Sequence, residues 1–409
     1  MKEGFGRLLP LKEALRLLLD AVRPVTETEE VALEEALGRV VAEDVKAVVD
    51  VPHFSRAAMD GYAVVAEDTF PASPTNPVKL KLLGSVEPGA VPDVVVKRGN
   101  CVRVSTGAAL PRGADAVVMV ENSQKSNGEV FVFSAVAPGA NVVRRGSDLK
   151  RGDVVVPAHT VLYPEKIGAL AASGIPQVRV LRRPKFGILS TGPELLDVGD
   201  EPRAGCVYDI NSHTLSCAVR QFCCEALPLG KVTDDAAALK RSILSGIQRC
   251  DVLLLSGGSS LGEGDLVPQI IKAVGRLLFH GIAVKPGKPT AAGIVGERLV
   301  IGLPGYPTSA LSNFYIVVLP VIERLLGVRF ARQKVRVRLA QKVFSTVGRY
   351  EFLPVRLEGE KALPVLRGSS AITSLALADG FVEIDENTEV LGADDVVEVT
   401  LFPRGVVCN

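Results

Sequence analysis

The chain has 409 residues, with 47 Lys and Arg against 46 Asp and Glu, no Trp and 5% aromatic residues. Such a length exceeds one ordinary domain. The balanced charge argues against a nucleic-acid coat or a basic membrane-surface patch, and so few rings argue against base stacking. No run of about 18 apolar residues reads as a membrane-spanning helix. Acidic residues and Asp20 interrupt the N-terminal apolar stretch, which is no signal peptide. A cytoplasmic protein with neither nucleic acid nor membrane as a partner is expected. Seven scattered cysteines form no C-x-x-C pair, and four distant histidines have no H-x-x-x-H spacing. The cysteines read as core fillers or inert thiols, and any functional metal as a hard, oxygen-bound ion such as Mg²⁺.

Residues 7–45 read as helical. Leu8, Leu11, Leu15, Leu18 and Leu19 share a face, Pro24 breaks the pattern, and Thr28 to Leu37 resumes it. From Val48 to Asn141 short β-rich runs alternate with Pro and Gly turns, including Val78–Leu82, Cys101–Val104 and Val117–Val120. A helical return follows, ending at Gly174. This order predicts an elongated domain (1–50 and 143–180) with a β-rich domain inserted at 51–142.

From Pro184 the texture alternates. Lys185–Thr191, Ala226–Val232 and Asp251–Leu255 read as strands; Ser212–Cys224, Ala236–Arg249 and Leu266–Val274 read as helices. That pattern predicts βαβ units and a mostly parallel sheet over 181–328, closed by a helix from Ser309 to Leu326 that bends at Pro320. After Gly327 strands alternate without helices, predicting a C-terminal β-barrel or sandwich over 329–409.

Three Gly/Pro turns punctuate the α/β stretch. They are Ser256-Gly257-Gly258 through Asp265, Lys285-Pro286-Gly287-Lys288-Pro289, and Leu303-Pro304-Gly305-Tyr306-Pro307 with Thr308 and Ser309. Open α/β sheets bind ligands beyond the carboxyl ends of their strands, where glycines admit close backbone approach and bare N–H groups favour anions. The first turn is neither a Walker loop nor a dinucleotide fingerprint. Two lysines in the second suit an oxyanion; helix capping explains Ser309 equally well. Glu194 ends the first strand and Asp234 the second, although either Asp234 or Asp235 could instead cap a helix. With Asp265 they make three acids expected on one sheet edge, the lining of an Mg²⁺–phosphate site.

Taken together, the motifs resemble one family. Ala58-Met59-Asp60-Gly61-Tyr62-Ala63, Thr106-Gly107-Ala108 with Gly113 to Val118, and Arg145-Gly146-Ser147-Asp148 come first. Ser190-Thr191-Gly192-Pro193-Glu194-Leu195, Tyr208-Asp209-Ile210-Asn211 and the three turns follow, in the order of the molybdopterin molybdenumtransferases. That family includes the C-terminal domain of gephyrin. The resemblance runs from about residue 8 to 405 and implies a multidomain α/β plus β protein. Its parts are a three-layer α/β/α molybdopterin-binding domain, an inserted β domain and a C-terminal β-barrel.

The implied reaction inserts molybdate, or tungstate, into adenylylated molybdopterin with Mg²⁺, releasing AMP and molybdenum cofactor. The resemblance implies catalytic roles for Asp265, Glu194 and Asp60, with Asp265, Glu194 and Asp234 around the metal. It gives substrate contacts to Thr106, Asp148, Asp234, Ser256, Gly257, Gly258, Lys285, Lys288, Pro304, Pro307, Ser309, Arg349 and Ser369. It also implies a homodimer with a composite active site, in which Asp60, Thr106 and Asp148 face the other subunit, and transient contact with a molybdopterin adenylyltransferase. Tyr306 departs from the Asn frequent in the Pro-Gly-Asn-Pro form, and Gly281 stands where some relatives carry a lysine. The alternatives are a molybdopterin adenylyltransferase, which leaves about 180 preceding residues without a role, and a gephyrin-like scaffold, for which the chain lacks a long linker.

Overall fold

The computed structural model describes residues 8–257, 265–365, 368 and 370–403. The first helix, Leu11–Ala21, buries Leu11, Ala14 and Leu18 against the α/β core. Leu9 fixes its start there, exchanging backbone hydrogen bonds with Gly281 and Ala283. The second helix expected over Thr28–Leu37 is absent. Thr28–Ala32 is a strand antiparallel to Gln177–Leu181, followed by a single helical turn, Leu33–Glu35. Pairing buries Val31 against Val178 and Val180, and this tertiary gain outweighs the weak helical pattern of an acidic stretch.

The chain then runs outward and returns as a paired ribbon. Val45–Lys46 pairs with Val154–Val156, Val51 bridges Leu149, and Arg56–Ala57 pairs with Val142–Val143. Between them lies a six-stranded sheet containing Val78–Val86, Asn100–Val104 and Ala116–Met119, close to the expected runs.

In the α/β part, the strands Glu225–Val232, Lys185–Thr191, Val252–Ser256 and Arg298–Leu303 lie side by side and parallel. Ala291–Val295 and Arg276–His280 extend that sheet antiparallel on one edge. The sequence pattern did not announce this edge: the two-residue turn Gly296-Glu297 folds two short apolar runs into a hairpin, with no helix between them. Side-chain alternation makes three layers. Val252 and Leu254 join the cluster built with helices Ile210–Gln221 and Leu319–Leu326, whereas Leu253 and Leu255 join the one built with Ala236–Gly246 and Leu266–Val274.

The closing helical stretch starts at Pro307, two residues before the expected Ser309. Pro307–Asn313 passes through a π-helical turn, Phe314–Val318, into Leu319–Leu326. Pro320 has no N–H for the carbonyl one turn back, so the widened turn just before it absorbs the mismatch. This 20-residue stretch is long and apolar enough to cross a membrane, yet most of it is buried inside the protein. C-terminal strands Tyr350–Glu358, Lys361–Pro364, Lys334–Leu339, Val396–Leu401 and Gly380–Ile384 close into a five-stranded barrel, because the first also pairs with the last. Burial pushes the Cys101 thiol up to about 12 and those of Cys223 and Cys250 to about 11, so these cysteines act as core residues.

Candidate functional site

A cleft of about 980 Å³ opens beyond the carboxyl ends of the parallel strands, between the α/β sheet and the barrel. One wall is the strand ends themselves, through Ser190, Thr191, Ser256, Gly257 and Pro304. Gly257 has φ +99°, and a Cβ there would lie 2.1 Å from the Thr191 carbonyl oxygen. The turn therefore presses onto the neighbouring strand end, a fit open only to glycine. Asn211, in the first turn of its helix, donates from Nδ2 to Ser256 Oγ (2.6 Å) and to the Gly305 carbonyl (2.8 Å). It thereby ties two of the three turns together.

Ser190 Oγ, Thr191 Oγ1 and Asn211 Oδ1 are buried without a protein partner, and all three residues line the cleft. Buried polar atoms are almost always satisfied, so this wall has unspent hydrogen-bonding capacity for a ligand.

The acids divide. Asp235 caps the helix Ala236–Gly246 by accepting from the Ala238 N–H (2.7 Å), which leaves Asp234 on the cleft. Glu194 also lines the cleft, its carboxylate folded back over Gly192 where a Cβ would come within 2.6 Å of Oε2. Asp265 does not join them. It is 6% exposed, lies off the cleft wall, and pairs through Oδ2 with His280 Nε2 at 2.8 Å. Burial raises its carboxyl above the usual range, against the pull of His280, and Oδ1 has no partner. The three-carboxylate convergence expected from the sequence is thus not formed, and no three metal-ligating side chains group among the described residues. The physical reason is the strand Arg276–His280, which ends beside Asp265 and offers it a closer partner. Mg²⁺ nonetheless fits the remaining donor set. It takes one or two carboxylates and completes its octahedron with phosphate oxygens and water, and Glu194 and Asp234 are two such donors on one cleft.

Three cations line the same cleft, Lys285, Lys288 and Arg349, together with Pro307 and the buried Ser309. The lysine turn is not simply a sheet end of the α/β domain. Val284–Lys285 pairs in parallel with Tyr350 and Glu351, so this turn is stitched to the barrel. Inside it, Gly287 has φ +107°, and its carbonyl accepts from Thr290 Oγ1 (2.8 Å) and Asn313 Nδ2 (2.9 Å). Neither Asn211, Asn313 nor Glu351 stood out from the sequence as a site residue. Asn211 was visible inside a motif, but the other two lie in a helix and a strand whose patterns carry no special signal.

Asp60 and Thr106 meet each other outside this cleft's lining. Asp60 accepts from the Thr106 hydroxyl (2.7 Å) and N–H (2.6 Å), which hold its carboxyl below the usual range. Asp148 sits at the returning ribbon, its N–H bonded to the Val51 carbonyl. None of the three lines the cleft. Gly258 and Ser369 lie outside the described residues.

Known proteins of the same build make sense of this arrangement. The family described as "MoeA N-terminal region (domain I and II)" matches residues 9–174, "Probable molybdopterin binding domain" matches 187–324, and "MoeA C-terminal region (domain IV)" matches 336–402. Fold and cleft therefore define a multidomain protein of molybdenum cofactor biosynthesis, built around a molybdopterin-binding α/β domain. A molybdopterin biosynthesis protein from Pyrococcus horikoshii has the same fold, with TM-score 0.87 and 35% identity over 97% of this chain and all of that one. The molybdopterin molybdenumtransferase of Bacillus subtilis is 33% identical over 405 residues, 96% of this chain and 94% of its own. That of Haemophilus influenzae is 36% identical over 321 residues, 78% of each. The chain belongs to the molybdopterin molybdenumtransferase family, and it is an enzyme.

Proposed function

We propose that this protein inserts molybdate into adenylylated molybdopterin, with release of AMP and molybdenum cofactor. The observation that carries this reading is the mix of groups lining one cleft: the cations Lys285, Lys288 and Arg349, the acids Glu194 and Asp234, and unpartnered polar atoms at the strand ends. Ammonium and guanidinium groups would hold the tetraoxo dianion by charge-assisted hydrogen bonds. Ser190, Thr191, Asn211 and the Gly257 turn would bind the phosphate and polar edge of the pterin nucleotide. Side chains fixed before the reaction lose little in reorganisation, which favours attack of water on the adenylyl phosphorus once both substrates are bound, breaking its bond to the pterin phosphate oxygen and freeing AMP. Mg²⁺, held by Glu194 and Asp234, would neutralise phosphate charge. Lys285, Lys288 and Arg349 suit tungstate as well, since it has the same charge and shape.

We further propose a cytoplasmic homodimer, with boundaries near residues 50, 142, 180 and 328, that receives its substrate by transient contact with an adenylyltransferase. The test is AMP release from adenylylated molybdopterin by purified protein with Mg²⁺ and molybdate under reducing conditions. Turnover should require molybdate and fall at least tenfold in Lys285→Ala. Absence of molybdate-dependent AMP release would sink the proposal.

A further inference from the structure

Glu351 belongs to the barrel strand Tyr350–Glu358, yet its carboxylate reaches the lysine turn of the α/β domain. It is 6% exposed, and Lys285 Nζ lies 3.1 Å from each of its two oxygens. Ser345 Oγ donates to the same carboxylate at 2.9 Å. The backbone prepares this meeting. Lys285 and Glu351 are register partners in a parallel pair, so their side chains leave the same face of the sheet. The Tyr350 N–H bonds the Ala283 carbonyl, and Glu351 is clamped on its other side against Ile384. Both residues line the cleft, as do Lys288 and Arg349.

We propose that Glu351 is a positioning residue for oxyanion binding: it fixes the Lys285 ammonium so that its remaining N–H faces the incoming dianion. This inference rests on the reading of Lys285 given above. A lysine has a flexible four-carbon stem and three donors. A nitrogen held at 3.1 Å from both oxygens of one rigid carboxylate is fixed in place and keeps further N–H donors for a ligand. The carboxylate also adjusts charge. A buried carboxylate beside Lys285 offsets part of the positive charge there and is itself shielded from hydration. A cation held on a rigid sheet needs no rearrangement when the ligand arrives.

The rival is that Glu351 is only a counter-charge, and the two differ in sign. Glu351→Gln keeps the volume and an acceptor for Ser345 but removes the charge. If Glu351 positions Lys285, the KM for molybdate rises about tenfold, kcat and the KM for the pterin nucleotide stay within about twofold, and the double variant with Lys285→Gln is no worse than Lys285→Gln alone. A lower molybdate KM in Glu351→Gln, an unchanged one, or additive effects in the double variant each overturn the proposal. Should Glu351→Gln fail to fold, Ser345→Ala decides. Loosening the carboxylate while keeping its charge should raise the molybdate KM about threefold, and no change refutes the inference. Lys285→Gln alone separates the two levels. If it leaves the molybdate KM untouched, the oxyanion pocket itself is misread and the role of Glu351 falls with it. If it raises the KM and Glu351→Gln does not, only the positioning role fails.

Discussion

Gly287 and Asp265 show how much can turn on a single residue in or beside the site. A methyl group at Gly287 would lie 2.3–2.6 Å from the Asn313 amide, and φ +107° already disfavours any other residue. Gly287→Ala should therefore cost on the order of 2 kcal/mol and displace both lysines of the turn, seen as a lower Tm and a raised molybdate KM. Asp265 is the opposite case. Its carboxyl is held above its unfolded value by burial, so its proton is bound more tightly in the folded state. The resulting destabilisation is absent below the unfolded value near 3.9 and grows as pH rises through the folded one. Asp265→Asn removes the desolvated charge and can still hydrogen-bond His280. We expect a higher Tm at pH 7 with turnover within about twofold, since Asp265 lies off the cleft; lost turnover would show that this buried acid has a catalytic part. The acids at 194, 234 and 265 could all be picked out in the sequence from their positions after strands and turns. Their grouping could not, because His280 is fifteen residues from Asp265 and its partnership depends on an antiparallel edge strand.

Elements tell a similar story of local signal and distant control. The strands Lys185–Thr191 and Val252–Ser256 and the helix Leu266–Val274 match their sequence patterns because apolar period and turn residues agree. Thr28–Ala32 defeats the same reasoning, since its partner strand lies about 150 residues further along the chain. Nor does Val284–Lys285 carry any mark of belonging to the barrel sheet. Asp251, at the start of a central strand, shows what joins the N-terminal part to the α/β core. It accepts from Arg182 Nη1 (2.8 Å), the Lys185 N–H (2.7 Å) and Arg298 Nη1 (3.0 Å). Burial alone would raise its carboxyl, but these hydrogen bonds and charges together hold it below the usual range. The stability it contributes is complete above the unfolded value and is lost as pH falls through the depressed folded one. Asp251→Asn should cost on the order of 3 kcal/mol at pH 7 and flatten the fall of Tm below about pH 4. An equally steep acid limb in the variant would place that loss elsewhere.

At the scale of the whole molecule, the motifs divide into two sets that one chain does not unite. Lys285, Glu194 and Asp234 share the cleft, whereas Asp60 and Thr106 form their own hydrogen-bonded pair in the inserted sheet. An exposed carboxylate fixed by both the hydroxyl and the N–H of one threonine is an ordered feature with no local task in core packing, and a second copy of the chain would give it one. Subunit mixing tests this. Asp60→Ala damages the insert's contribution and Lys285→Ala the cleft's, so each pure variant should have little turnover. If the protein is the homodimer proposed above, half the dimers should be mixed after unfolding and refolding together, and in each mixed dimer one site would combine the two intact halves while the other would combine the two damaged ones. Activity should then recover to about a quarter of that of the unmutated protein, the value set by random pairing of two subunits with two shared sites. If both halves of the site lay within one subunit, every site in the mixture would keep one defect and no recovery would follow. On the homodimer proposed above, recovery also has to vanish when the mixed sample is diluted until the dimers dissociate, because each cleft would then lose the insert that its partner supplies.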